Sequence, residues 1–186
     1  QHYQAADVVI PDAHGGGSAL AISQDSDYLA SGGWSGYIRI WQLPDGKAEN
    51  IWKGHEGEVT ALSFLSERRL LSAGLDANLV EWSLRGRQIR KINTDSAITA
   101  MDVDTAGQQV LTGHKDGRVR RWRLPDLYPG RILGRHGAGV RAVAIAPAGD
   151  LMASSAHDGV VKVWHSDGVA TRLPDPWSDA RTLQFS

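Results

Sequence analysis

Residues 54–82 read GHEGEVTALSFLSERRLLSAGLDANLVEW, and this stretch decides the fold. Over 59–64 apolar residues fall at alternate or near-alternate positions, as in a half-buried strand. A polar turn follows, Leu70-Leu71 leads to Ser72, and 79–82 carries a further apolar run ending in Trp82. The same layout occurs four times. Trp41, Trp82, Trp122 and Trp164 are spaced by 41, 40 and 42 residues. Six residues before them stand Ser35, Asp76, Asp116 and Asp158, and ten before them Ser31, Ser72, Thr112 and Ser154. Farther upstream come His14, His55, Thr94 and His136. Residues 140–145 repeat the alternation of 59–64, and Pro147-Ala148-Gly149-Asp150 closes the next turn. Asp45-Gly46 and Asp167-Gly168 suit hairpin turns that need positive φ. No segment longer than a turn shows capped helical periodicity. Strands about every 8–12 residues, grouped in units of roughly 41, predict an all-β chain with four strands per propeller blade.

Composition narrows the function. The 186 residues hold 20 Lys+Arg against 21 Asp+Glu, a net charge of −1, which argues against an electrostatically driven nucleic-acid or membrane binder. The absence of Cys excludes disulfides, thiolate metal sites and cysteine nucleophiles. No apolar run approaches the roughly 20 residues that span a bilayer. The chain opens on Gln1, so a processed or cut chain with a lost targeting segment is expected, and the compartment stays open between cytoplasm and periplasm. Arg outnumbers Lys 15 to 5, and with abundant Ala and Gly this suggests a bacterial source.

The repeats resemble the WD-repeat (WD40) β-propeller family over essentially the whole chain. The resemblance rests on Gly54-His55, Ser72, Asp76 and Trp82, and on His136, Ser154, Asp158 and Trp164. Ser35 departs from the family's Asp and Thr94 from its His. No Trp is followed by Asp; Gln42, Ser83, Arg123 and His165 stand there. The resemblance implies an outer strand of the closing blade in 1–13, where Asp7-Val8-Val9-Ile10 suits it. Blades follow at 14–54, 55–93, 94–135 and 136–175, and a fifth starts at 176–186 with an inner strand at 180–185. Such rings most often close with about seven blades. Four blades and two strands therefore predict an incomplete ring, whose open edges need further blades or another chain.

The resemblance also implies one hydrogen-bond network per blade. His14, Ser31 and Trp41 would serve the first blade, and His55, Ser72, Asp76 and Trp82 the second. Thr112, Asp116 and Trp122 would serve the third, and His136, Ser154, Asp158 and Trp164 the fourth. His55, Ser72 and Asp76 include the residue types of a hydrolase triad, but a scaffold needs such a set in every blade, and no nucleophile elbow is present. Gly137-Ala138-Gly139-Val140-Arg141-Ala142 leads into a strand, so it is a tight loop and no dinucleotide site. His114, His157 and His165 read as surface or structural histidines and no metal site. The basic run Arg118, Arg120, Arg121, Arg123, Arg131 and Arg135 reads as strand residues whose long side chains cover apolar surface. The position before each Trp holds Ile40, Glu81, Arg121 and Val163, and the two charges are expected to find partners at the interface of blades 2 and 3.

The expected function is a non-catalytic protein–protein interaction scaffold with no cofactor, no metal and no nucleic-acid partner. The alternative is an accessory or sensory domain of a larger bacterial protein, periplasmic and cytochrome-linked. The resemblance places the partner face on the loops before the Asp column, at Trp34, Leu75, Lys115 and His157, with Glu58, Thr99 and Arg141 as neighbours. Trp34 stands in the turn between Gly33 and Gly36, where it either packs on the adjacent loop or anchors a partner.

Overall fold

The computed structural model describes residues 16–104, 106–165, 169–173 and 182–185. Among them the chain is all-β, with sixteen strands and no helix. The first sheet holds β1 (Gly17–Ile22), β2 (Tyr28–Gly33), β3 (Tyr37–Gln42) and β4 (Lys47–Lys53). The second holds β5 (Val59–Ser66), β6 (Arg69–Gly74), β7 (Asn78–Ser83) and β8 (Gln88–Asn93). The third holds β9 (Ile98–Val103), β10 (Gln109–His114), β11 (Arg118–Arg123) and β12 (Tyr128–Arg135). The fourth holds β13 (Val140–Ile145), β14 (Leu151–Ala156), β15 (Val161–His165) and β16 (Ala170–Arg172). Each sheet is an antiparallel meander in chain order.

The sheets stack face to face as propeller blades. Three apolar seams hold them, and each takes alternate residues from two successive blades, as strand geometry requires. Ala30, Ile38 and Ile40 meet Val59, Leu70, Val80 and Trp82. Leu71, Ala73 and Leu79 meet Ile98, Val110 and Trp122. Leu111, Val119 and Leu133 meet Val140, Val143, Met152 and Trp164. The inner strands β1, β5, β9 and β13 touch in that order, and among the described residues the ring does not close. Leu20 and Ile22 on β1 are accordingly exposed. The expected outer strand at 7–10 lies outside the described residues. Of the expected inner strand at 180–185, residues 182–185 take no strand; an inner strand needs a middle strand to pair with, and none is described beside it.

Two features of the turns repeat with the blades. Gly36, Ala77, Gly117 and Gly159 occupy one position and all have positive φ, from 64° to 88°. Their carbonyls in the first three blades accept the N–H of His55, Thr94 and His136, tying each turn to the loop leading into the next blade. A Cβ on Gly36 would stand 2.1 Å from the His55 carbonyl oxygen, so glycine is required there. Ala77 carries a Cβ at this position, and the loop behind it is the one headed by Thr94 and not by His.

Each inner strand also bulges at its second residue. The register shifts past Ser18, Thr60, Thr99 and Arg141. A bulge leaves its residue out of the ladder and re-aims its side chain. The first three use it as a staple across the seam. Ser18 Oγ donates to Val59 O at 2.8 Å, Thr60 Oγ1 to Ile98 O at 2.8 Å, and Thr99 Oγ1 to Val140 O at 2.7 Å.

Candidate protein-interaction face

Every blade carries a buried polar pair. The indole N–H of Trp41, Trp82, Trp122 and Trp164 donates to the hydroxyl of Ser31, Ser72, Thr112 and Ser154 at 2.8–2.9 Å. A buried indole N–H needs such an acceptor, and the ten-residue spacing places both groups on the adjacent β2–β3-type strand pair.

In the second blade the chain of bonds continues. Ser72 Oγ lies 2.7 Å from His55 Nε2, and His55 Nδ1 lies 2.8 Å from Asp76 Oδ1. Asp76 also accepts the N–H of Glu56 and Asn78, each at 3.1 Å. With Nδ1–H donating to the carboxylate, Nε2 accepts from Ser72, and the imidazole is neutral. Burial pushes the His55 pKa down, outweighing the upward pull of Asp76. Burial pushes Asp76 up, but the bonds from Asn78, His55 and Glu56 hold it below its ordinary value. Ser72 is fully buried and its Oγ is already engaged by Trp82 and His55, so the serine has no approach path for a substrate.

The fourth blade is looser. His136 Nε2 lies 2.7 Å from Ser154 Oγ, but His136 Nδ1 and Asp158 Oδ1 are 3.5 Å apart, beyond a good hydrogen bond. Asp158 accepts instead from Gly137 N at 2.7 Å and Val160 N at 3.0 Å.

The third blade is rebuilt. Thr94 is buried, and its hydroxyl lies within reach of the carbonyls of Ala77 and Ser96. The imidazole comes from β10 instead. His114, fully buried, places Nε2 2.9 Å from Thr112 Oγ1 and Nδ1 3.1 Å from Ser96 O. Asp116, with no histidine to hold, pairs with Arg118 at 2.8 Å. Sequence reading left His114 as a generic structural histidine. Its position two residues after Thr112, in the one blade with Thr at the histidine column, was the available signal. In the first blade His14 lies outside the described residues, and Lys53 Nζ donates to Ser35 O at 2.9 Å.

The basic run is distributed among several roles. Arg120 stands over Trp122 at 6.0 Å, as Arg39 does over Trp41 (6.0 Å) and Lys162 over Trp164 (5.6 Å). All three precede their Trp by two residues. Val80 holds that position in the second blade, where Trp52 of β4 closes over Trp82 at a centroid distance of 5.8 Å. Arg135 Nε donates to Asp116 O at 2.8 Å.

The two charges before the Trp do not share one interface. Glu81 is fully buried facing the third blade, and its ion-pair partner is Arg69 of its own blade. Arg121 shares the face of Val119, toward the fourth blade. Burial lowers its pKa, Arg123 and Arg131 add to that, and Asp104 opposes them. The expectation of a common blade 2–3 interface is therefore corrected. Alternation sends this column to the following blade, so residues one repeat apart face different seams.

The loops ahead of the Asp column form a platform. Trp34 N–H donates to Gly16 O, Leu75 to Glu58 O, Lys115 to Ala97 O and His157 to Gly139 O, at 2.9–3.3 Å. Each blade thus fixes the same backbone position against its own lead-in loop and leaves the side chain outside. Trp34 is 68% exposed and Leu75 43%, and Lys115 and His157 are exposed. One face of the Trp34 indole lies on Gly16, where a Cβ would meet it at 3.1 Å, so packing and exposure coexist. Glu58 and Arg141 are half-buried beside this platform. Thr99 is half-buried at the bulge position that Arg141 takes in the next blade, and its hydroxyl staples the seam between blades 3 and 4. Arg141, at the same bulge in the fourth blade, donates from Nε to His157 Nδ1 at 3.2 Å. Among the described residues no group of His, Asp and Glu is placed to hold a metal ion, and no helix is long and apolar enough to cross a membrane.

Comparison with known proteins agrees with this architecture. The family described as IP5P C-F beta-propeller matches residues 48–175, and the WD domain, G-beta repeat, matches 8–42. The chain belongs to the β-propeller family. It is similar to autophagy-related protein 16 of Arabidopsis thaliana, 26% identical over 78% of this chain and 29% of that protein. It is 28% identical to periodic tryptophan protein 2 of the same plant, over 79% of this chain and 17% of that protein. Ribosome biogenesis protein YTM1 of Candida glabrata is 28% identical over 79% of this chain and 27% of that protein. The propeller thus spans less than a third of these relatives. They are eukaryotic, so the bacterial source suggested by composition gains no support from them.

Proposed function

We propose that this propeller is a non-catalytic scaffold that holds a protein partner on the platform face. The observation that carries the reading is the repeated geometry of Trp34, Leu75, Lys115 and His157. Four exposed side chains of different chemistry are fixed on backbone positions that each blade pins identically. Rigid presentation lowers the ordering cost of association, and exposed Trp is a residue type that dominates interface energies. The relatives' names, which include an autophagy-related protein and a ribosome biogenesis protein, fit assembly work better than a single chemistry. By the same reading the blades are part of a larger ring of about seven, completed by further blades.

A photo-crosslinking amino acid at Leu75 tests the face against one at Ile132, which is 50% exposed on the outer strand β12. Partner adducts from position 75 and none from 132 are expected. Adducts from 132 alone would move the binding surface to the blade rims.

A further inference from the structure

The chemistry of the platform is uneven around the ring. Its first two blades offer apolar surface, Trp34 and Leu75, and the next two offer positive charge on Lys115 and Arg141 beside the imidazole of His157. Arg141 is the informative residue. The bulge position it occupies is a hydroxyl in the three preceding blades, and that hydroxyl is consumed by a carbonyl across the seam. An arginine there brings a longer side chain with five N–H donors in place of a single hydroxyl. Its Nε is held by His157 Nδ1, which keeps the guanidinium with the platform loop of its own blade. The same bond fixes the imidazole: Nδ1 accepts, so the ring hydrogen is on Nε2 and is available as a donor. Lys115 adjoins this pair through Gly139. A Cβ on Gly139 would stand 3.0 Å from the Lys115 carbonyl, and the Gly139 carbonyl accepts the His157 N–H. A guanidinium, an ammonium and an imidazole N–H therefore stand on adjoining loops of one side of the platform. This is a donor set matched to a carboxylate, since charge-assisted bonds from Arg and Lys to carboxylate are the strong ones.

Resting on the scaffold reading above, we infer that the partner presents a short acidic segment. Its carboxylates lie at Lys115, Arg141 and His157, and an apolar residue beside them sits on Trp34 and Leu75. The opposite order is disfavoured, because Glu56 and Glu58 stand in the loop beside Leu75 and would repel carboxylates placed there.

The test pans a phage-displayed library of short random peptides on the 186-residue chain and on three variants. The chain itself should enrich peptides that pair Asp or Glu with an apolar residue. Lys115→Glu/Arg141→Glu should lose those peptides by tenfold or more in affinity and enrich Lys- and Arg-bearing ones instead. Trp34→Ala should weaken both pools, with unchanged far-ultraviolet dichroism and melting temperature showing that the fold is intact. Enriched peptides that depend on Trp34 but carry no acidic bias, or that ignore the charge reversal, overturn the acidic-segment inference and leave the scaffold reading standing. A pool indifferent to Trp34→Ala, Leu75→Ala and the charge reversal overturns both.

Discussion

The ion pair of Arg69 and Glu81 should respond very unequally to losing one partner or the other. Glu81 has a fully buried side chain, whereas the Arg69 side chain is 41% exposed. The cross-strand neighbours of Glu81 are Leu71 and Arg90, and the Arg90 guanidinium is already donating to the Pro125 carbonyl. Arg69→Ala therefore strands a carboxylate in the seam between blades 2 and 3, which costs about 3–5 kcal/mol for a broken buried pair. Glu81→Ile places the residue of the equivalent Ile40 in the same seam and lets Arg69 turn to water, for a change between about zero and a few kcal/mol of added stability. In a chain of this size Arg69→Ala should lower the melting temperature by on the order of 10 °C. Urea unfolding followed by tryptophan fluorescence gives both values, and the double variant Arg69→Met/Glu81→Ile should recover most of the loss. An Arg69→Ala cost below about 1 kcal/mol, as for an exposed arginine, would refute the stranded-charge reasoning. So would a Glu81→Ile cost equal to it.

Ala77→Gly should stabilise the chain by about 1 kcal/mol, because a Cβ at φ 64° costs about that much; an unchanged or lower urea midpoint would count against strain there. Asp158→Ala should cost about 1–3 kcal/mol by leaving the N–H groups of Gly137 and Val160 without their acceptor, and Ser35→Ala should cost less; equal losses in denaturant melts would contradict this. Stability should fall as pH drops below about 6.5, the ordinary histidine value, because burial holds His55, His114 and His136 below it and the unfolded chain takes up protons first. Asp102 works the other way, its pKa raised by burial, so that its contribution is lost as pH rises through its folded value. A melting temperature that is flat from pH 7 to about 5 would contradict the histidine assignment. With edges open on the first blade, the isolated chain should self-associate, and a clean monomer in light scattering would argue that β1 is covered.

The fold was legible because repetition averages out the ambiguity of short strands. Any one run, such as 79–82, could be strand or buried turn, but four runs in register at Trp and Ser/Thr, three of them also at Asp, could not be accidental. The indole–hydroxyl pairs follow from the same columns. The seam staples were not legible. Ser18, Thr60 and Thr99 are ordinary strand residues in sequence, and only the bulge register aims them across the seam. The facing of Arg121 was missed by one blade, whereas Glu81 does face the seam between blades 2 and 3; alternation fixes which side of a strand a residue takes but does not by itself say which neighbour lies there.

The departures from the repeat are compensated locally, and the compensations say which features the fold demands. The third blade has Thr94 for histidine, and His114 restores an imidazole to the hydroxyl that holds Trp122. The turn before that loop is the one that tolerates Ala77. The second blade has Val80 where a cation covers the Trp elsewhere, and Trp52 covers Trp82 in its place. It has Glu81 where other blades have Ile40 or Val163, and Arg69 answers it. What is held constant is a capped indole, whichever residue supplies the cap. Arg141 is different in kind. It replaces a staple hydroxyl, and its Nε donates to His157 of the platform loop. A departure that adds charge beside the exposed His157 is what the recognition of an acidic segment would ask of that position.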